Sequence, residues 1–265
     1  MRTGGTTPPT PSDRLPVWAE VHFDDEVLST SPRHWPAARR LLLRLTDCAE
    51  SAGARLSLRF RETFARHAAD TSLLPDLARR GHEVGAHAHG RGLPGSIEAL
   101  QACGLTPTVA APGLVQVGPG GRALLIRQAA ALGITLITDH SAQRAWAYEG
   151  LLPRPEHGTQ VAAPTVRPFD WGLMSVDGTR HGLTAGGMAR LRALESQAAA
   201  HGARWFGWTF HEHDLCAPGT LEPRPAALDA LAAHLDGRVI PSRSATTTDA
   251  PPPQAIPLMV PLFVF

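Results

Sequence analysis

Carboxylates and imidazoles follow short apolar segments at several points of this sequence. They include Asp24, Asp25, His87, His89 and His211. One carboxylate and two neutral imidazoles can bind a divalent ion and leave coordination positions for water and substrate. Such an ion lowers the pKa of its water towards about 7, after which another carboxylate can take the proton and an imidazolium can protonate a departing amine. These residue types therefore predict metal-assisted hydrolysis.

Each motif taken alone also has a purely structural interpretation. His87 and His89 are two residues apart, so both side chains point the same way on an extended segment, but histidines are also common on protein surfaces. The run Asp24-Asp25-Glu26 would equally suit a solvated turn or a helix N-terminus. Their joint occurrence after predicted strands favours a functional site.

Seven short apolar segments alternate with helical segments, which predicts a parallel sheet in an α/β fold. The polar clusters follow the carboxyl ends of these segments, where parallel barrels build their sites. The opposite strand ends show no comparable cluster. A closed or nearly closed (β/α) barrel is favoured over an open doubly wound sheet. The predicted strands are Val17–Phe23, Arg55–Phe60, Glu83–His87, Thr108–Ala111, Ile134–Thr138, Gln160–Thr165 and Arg204–Phe210, with a short eighth candidate at Arg238–Pro241.

Helices fill most of the gaps between these strands. The apolar spacing predicts them near residues 35–52, 73–80, 96–103, 122–132, 185–201 and 225–235. Five glycines that follow helical segments are expected to end them in the left-handed conformation, namely Gly53, Gly81, Gly104, Gly133 and Gly202.

Composition limits the possible classes of function. The chain has 265 residues, enough for one substantial domain. Its 25 basic residues are all arginine and its acidic residues number 24, so a net charge of +1 gives no reason to expect nucleic acid or an anionic membrane as partner. Without lysine, Schiff-base catalysis and pyridoxal-phosphate anchoring are excluded. Three widely spaced cysteines predict neither a disulfide framework nor a cysteine zinc site.

Pro- and Thr-rich ends bracket the regular middle of the chain. Residues 1–16 are interpreted as a flexible arm, 17–240 as the barrel, 241–255 as a Pro/Thr-rich linker and 256–265 as a hydrophobic tail. The N-terminus lacks the apolar core of a signal peptide and no segment has the ~20 apolar residues of a membrane span, so a cytoplasmic location is expected. The tail, Ile256–Phe265, would fold back onto its own domain, dock on a partner protein or be a substrate of other enzymes.

Four runs together resemble the motifs of the polysaccharide deacetylase family, the NodB-homology or carbohydrate esterase 4 group. The order and spacing match from about residue 17 to 240, and the second motif is the most specific. The runs are Phe23-Asp24-Asp25 for the first motif, Arg80-Gly81-His82-Glu83-Val84-Gly85-Ala86-His87 for the second, Val109-Ala110-Ala111-Pro112-Gly113 for the third, and Phe210-His211 for the last.

The resemblance implies a distorted (β/α)7 barrel that removes acyl groups, usually acetyl from N-acetylated sugars, with zinc or a similar divalent ion. Asp24 would be the general base, Asp25 and His87 metal ligands, and His211 the general acid at the leaving nitrogen. The family places its second metal histidine four residues after the first. Arg91 stands at that position here, so the third ligand is assigned to His89.

Substrate contacts are expected from five residues. Backbone N–H groups near Pro112 and Gly113 would help to hold an oxyanion, and Trp171 would stack on a sugar or acyl group. Arg91 or His140 would replace an arginine that the family carries before its Ala-Pro, where this chain has an alanine. His140 and His213 are also alternative third ligands.

These departures from the family pattern point to a small N-acyl compound rather than a polysaccharide strand. Two other hypotheses stay open. One is a hydrolase of a cyclic amide or ureide on the same fold. The other is a non-catalytic barrel whose hydrophobic tail mediates assembly, although the joint presence of Asp24, Asp25, His87 and His211 speaks against it.

Overall fold

The computed structural model describes residues 17–23, 32–89, 92–113, 119–138, 173–177, 185–200, 205–217 and 220–235. The predicted arm, linker and tail lie outside these residues, as do the predicted strands at 160–165 and 238–241. Within the described ranges, no helix is long and apolar enough to cross a membrane. The cytoplasmic location stays a prediction.

Seven parallel strands form a single sheet, which confirms the parallel α/β class. They run in the order β5-β4-β3-β2-β1-β7-β6. β5 and β6 are the edge strands among the described residues, which therefore show a partial barrel, while the complete distorted (β/α)7 barrel that the motifs imply stays a prediction. The strands are β1 Val17–Phe23, β2 Ser57–Phe60, β3 Glu83–His87, β4 Val109–Ala111, β5 Leu136–Ile137, β6 Leu173–Asp177 and β7 Trp205–His211.

Helices connect the strands much as the sequence predicts. They are α1 Trp35–Ser51, α2 Glu62–Ala68, α3 Leu73–Arg79, α4 Leu93–Ala102, α5 Pro119–Ala131, α6 Ala185–Ala200 and α7 Pro225–Leu235, with short 3-10 helices at Pro32–His34 and Glu212–Leu215. The starts of α4 and α5 lie three residues before the predicted ones because Pro94 and Pro119 fit a first helical turn, where no N–H is needed. Neither α2 nor β6 was predicted.

Glycines end the helices as expected. Gly53, Gly81, Gly104 and Gly133 have φ angles of 69°, 92°, 80° and 83°. This left-handed backbone disfavours residues with a Cβ atom, so the prediction is confirmed at all four positions. Gly202 lies outside the described residues.

The outer face of the sheet packs against the helices and forms the apolar core. On β1 this face carries Val17, Ala19, Val21 and Phe23, all at most 1% exposed. The Phe23 ring stacks on Phe60 of β2, with centroids 4.8 Å apart, and contacts Phe64 of α2 at 5.0 Å. Because side chains alternate along a strand, Glu20 and His22 point to the opposite, inner face.

The inner face of the sheet is polar and equally buried. Glu20 and His22 of β1 alternate with its apolar residues, and both are at most 1% exposed. In the parallel register His22 lies beside Arg59 on β2 and beside His211 on β7, while Arg59 lies beside Gly85 on β3. Neighbouring residues in register share a face, so these side chains meet inside the partial barrel. Buried polar side chains therefore lie along the inner face of the sheet as well as at the carboxyl ends of the strands.

Candidate active site

His87 is the last residue of β3, and its ring has a defined orientation. It is fully buried, and its Nδ1 lies 2.8 Å from the carbonyl oxygen of Ala111 on β4. Because a carbonyl only accepts, Nδ1 carries the hydrogen and donates it, which leaves a lone pair on Nε2 of the neutral ring. This arrangement is the one expected of a metal-binding histidine, whose second ring nitrogen is usually held by a carbonyl or carboxylate.

His89 brings a second imidazole to the same place. Its Nε2 lies 3.3 Å from Nε2 of His87. Two nitrogens bound to one tetrahedral zinc ion, each ~2.05 Å from it, would be about 3.3 Å apart. The same distance also suits an N–H···N hydrogen bond, so the pair fits a divalent ion without requiring one.

The loop after β4 lies against this histidine pair. Gly113 has a φ of 64°, and a Cβ atom there would come within 3.0 Å of the Ala88 carbonyl oxygen and 3.6 Å of Nδ1 of His89. The structure therefore places Pro112 and Gly113 beside the predicted ligands. Their role in holding substrate stays a prediction.

His211 ends β7 next to the end of β1, where a carboxylate accompanies it. The backbone N–H of His211 donates to Oδ2 of Asp214 over 2.8 Å, and the same oxygen lies 3.7 Å from Nδ1 of the His211 ring. The His211 side chain in turn accepts from the backbone N–H of Asp214, so the two residues form a capping box at the start of the 3-10 helix. The His213 ring stacks on that of His211, with centroids 5.2 Å apart.

These three residues are also a possible cation site. One ligand atom from each of His211, His213 and Asp214 lies within 4.8 Å of the other two. His213 Nε2 lies 3.8 Å from Oδ1 of Asp214. The described residues thus contain two places with metal-ligating groups, the His87–His89 pair and this cluster.

His22 lies between the His87–His89 pair and the His211 cluster, although the residue pattern alone did not mark it as a site residue. Its ring centroid lies 4.1 Å from that of His87 and 5.4 Å from that of His211. Its Nε2 is 2.7 Å from Oε1 of Glu20. His22 is fully buried, so the interior of the sheet holds a row of three imidazoles.

A buried ionic network contacts His22 through Glu20. The guanidinium of Arg59 is 3.0 Å from Oε2 of Glu20 and also pairs with Glu83, so one cation joins carboxylates from β1 and β3. Burial would lower the pKa of Arg59, but the two carboxylates raise it above its ordinary value. Burial raises the pKa of Glu20, and Arg59 opposes this change. Thr138, after β5, also hydrogen-bonds to Arg59 at 3.5 Å.

Gly85 provides the space for this network. A Cβ atom on Gly85 would lie 2.5 Å from the carbonyl oxygen of Val109, and 3.1 and 3.2 Å from Nη1 and Cδ of Arg59. Real Cβ atoms essentially never approach another atom that closely. The glycine of the second motif therefore lets the Arg59 side chain cross the inner face of β3.

Five of the predicted site residues lie outside the described ranges. They are Asp24, Asp25, Arg91, His140 and Trp171. Asp24 and Asp25 follow directly on Phe23, the last residue of β1, whose inner face carries His22. Their predicted roles stay predictions, as does the complete ligand set.

The chain is similar in fold to a solved protein structure. A crystal structure described as a "putative polysaccharide deacetylase" from Mycobacterium smegmatis superposes with a TM-score of 0.50 and 13% sequence identity, covering 92% of this chain and 89% of that chain. No family model and no curated protein sequence matches the chain. At this identity the similarity shows a distant relation in fold, in agreement with the fold that the motifs imply.

Proposed function

We propose that this protein is a metal-dependent hydrolase that removes an acyl group, such as acetyl, from an amide nitrogen of a small N-acyl compound such as an amino sugar. The observation that carries the proposal is the 3.3 Å separation of the His87 and His89 Nε2 atoms, with His87 held by a carbonyl on its other nitrogen. The similarity in fold to a deacetylase and the motif Asp24-Asp25 at the end of β1 support it.

His87, His89 and Asp25 would hold the ion, most favourably zinc because two imidazoles and one carboxylate are among its usual ligands. When bound, the ion would supply an activated water and polarise the amide carbonyl. The only structural requirement on the chain is that Asp25, two residues beyond the end of β1, reaches the His87–His89 pair at the end of β3.

The protein's own groups would move the protons. Asp24 would accept a proton from the attacking water. His211, which the capping box with Asp214 holds at the end of β7, would donate one to the leaving nitrogen. Backbone groups near Gly113, which lies against His89, would bind the carbonyl oxygen as its charge develops.

The experiment is to measure metal bound to protein purified without a polyhistidine tag, using mass spectrometry for zinc and other divalent ions. We expect near-stoichiometric metal in the wild type and its loss in both His87→Ala and His89→Ala. His213→Ala is the matched control, because His213 lies in the other histidine cluster. Metal retained in His89→Ala but lost in His213→Ala would move the site to His211, His213 and Asp214.

Acetate release from N-acetylated amino sugars and amino acids then tests the reaction. We expect Asp24→Asn to abolish it without loss of metal. Wild type that binds no metal after reconstitution with zinc would refute the mechanism.

Cyclic amide or ureide hydrolysis is the second candidate function. The observation that favours it is Ala110, which is fully buried in β4 where the deacetylase family carries an arginine. Ring opening of such compounds that persists in the presence of a chelator would support this candidate over the first.

A further inference from the structure

Charged residues contact the imidazole of His22 on its Nε2 side. Its Nε2 lies 2.7 Å from Glu20, and Glu20 lies 3.0 Å from Arg59, which also pairs with Glu83. This short contact holds the ring at Nε2, whichever of the two groups carries the hydrogen. All three residues, His22, Glu20 and Arg59, are at most 1% exposed.

The His22 ring also packs against two histidines of the candidate active site, His87 and His211. Its plane is tilted by only 31° from that of His87, at a centroid separation of 4.1 Å, so the two rings pack largely face to face. The His211 ring meets it edge-on at 5.4 Å. The His87 ring is therefore fixed at two points, by the Ala111 carbonyl at Nδ1 and by the His22 ring on its face.

The cost of this arrangement argues against a simple filling role. Burying a carboxylate and an imidazole is unfavourable unless both are fully hydrogen-bonded. A leucine would fill a similar volume without that cost. What a leucine lacks is a fixed planar ring anchored through a hydrogen bond, which is the property needed to orient a second ring.

We propose that His22 is a positioning residue, anchored by Glu20 and Arg59, that holds the His87 imidazole with its Nε2 towards His89. The link to metal binding rests on the proposed function. The orientation of His87 does not, because every contact that determines it exists without an ion.

The test compares the wild type with His22→Ala, which removes the ring, and His22→Phe, which keeps a flat ring of similar size. His67→Ala is the control, because His67 stacks on Trp35 of α1 and lies outside the site. In metal-free protein, long-range proton–nitrogen NMR of labelled histidines reports whether each ring carries its hydrogen on Nδ1 or on Nε2. Zinc affinity is measured separately by competition with a chelator.

We expect His87 to be a single Nδ1–H tautomer in the wild type, in His67→Ala and in His22→Phe, and a mixture in His22→Ala. Loss of a residue that orients a metal ligand costs roughly 10–100-fold in metal affinity, so zinc binding should weaken by this factor in His22→Ala and largely recover in His22→Phe. A folded His22→Ala protein with an unchanged His87 tautomer and unchanged zinc affinity would overturn the proposal.

Two further outcomes separate this proposal from the proposed function. Wild type that binds no zinc, with His87 mixed only in His22→Ala, would support the positioning role and refute the metal mechanism. If His22→Ala does not fold, His22→Phe decides, because weak zinc binding together with a mixed His87 tautomer in that variant would show that ring packing does not orient His87.

Discussion

Gly85→Ala is the substitution for which the structure makes the clearest prediction. Gly85 lies within β3, and its φ angle is outside the left-handed region. In an ordinary strand of this kind, alanine reduces the conformational freedom of the unfolded chain and stabilises by about 0.4–1 kcal/mol. At Gly85 we expect alanine to destabilise the protein instead, because the new methyl group has no space.

The magnitude follows from the two atoms that the methyl group would meet. The Val109 carbonyl oxygen, 2.5 Å away, belongs to the backbone of β4 and cannot yield without disturbing the sheet. Overpacking of this kind costs about 1–3 kcal/mol. The Arg59 side chain, 3.1 Å away, would also have to shift by a few tenths of an ångström, which strains its pairs with Glu20 and Glu83 without breaking them. We therefore expect a net loss at the upper end of the overpacking range, about 3 kcal/mol.

The assay is the free energy of unfolding in urea, followed by circular dichroism. Gly104→Ala is the control, because Gly104 has a φ of 80° and a Cβ atom added there would have no other atom within 4 Å. Its expected cost is backbone strain of about 1–2 kcal/mol without overpacking. A Gly85→Ala protein that is as stable as Gly104→Ala, or more stable, would refute the account of Gly85 as the passage for Arg59.

Three further outcomes are expected. Burial lowers the pKa of His82 in the folded protein. The contribution of His82 to the free energy of unfolding is therefore complete above the unfolded-state pKa of about 6.5 and is lost as the pH falls through the lowered folded-state pKa. Unfolding free energies at pH 7.5 and 5 should therefore differ less in His82→Gln than in wild type, and an equal difference would contradict this. Asp214→Ala removes the acceptor for the His211 N–H and should cost about 1 kcal/mol of stability in urea, whereas Asp214→Asn keeps an acceptor and should cost clearly less. Burial raises the pKa of Cys216 to about 12, so a thiol reagent at pH 8 should leave Cys216 unmodified until urea unfolds the protein, as peptide mapping would show.

Strands were predictable from the sequence where a short apolar run lies between clear start and stop signals. β3 has the predicted bounds because it begins after Gly81, which ends α3. β1 has them because its run begins after Pro16 and ends at the acidic run Asp24-Asp25-Glu26. The seven-residue helix α2 was missed, although Phe64, Ala65 and Ala68 have helical spacing and are buried. β5 is two residues long where five were predicted, because only Leu136 and Ile137 pair with β4.

The site was predictable at the ends of the strands but not along their inner face. His87, His89 and His211 were selected because polar residues stand out after an apolar run. Glu20 and Arg59 were missed because a charged residue inside a strand normally marks a solvated face. A signal existed in the second half of β1, where Glu20 and His22 alternate with Ala19, Val21 and Phe23. What the sequence could not show is that carboxylates and a guanidinium on three different strands neutralise one another.

The pairing of one arginine with two carboxylates restricts how this protein can change over evolutionary time. Replacing Arg59 alone leaves Glu20 and Glu83 buried as uncompensated charges, and replacing either carboxylate weakens the hold on Arg59. Apolar replacement of a whole buried ionic group is often neutral or favourable, whereas removal of one member is strongly unfavourable. An apolar interior is thus separated from the present one by single-substitution intermediates that fold poorly. Descendants of this sequence should keep Glu20, Arg59, Glu83 and Gly85 together or lose them together.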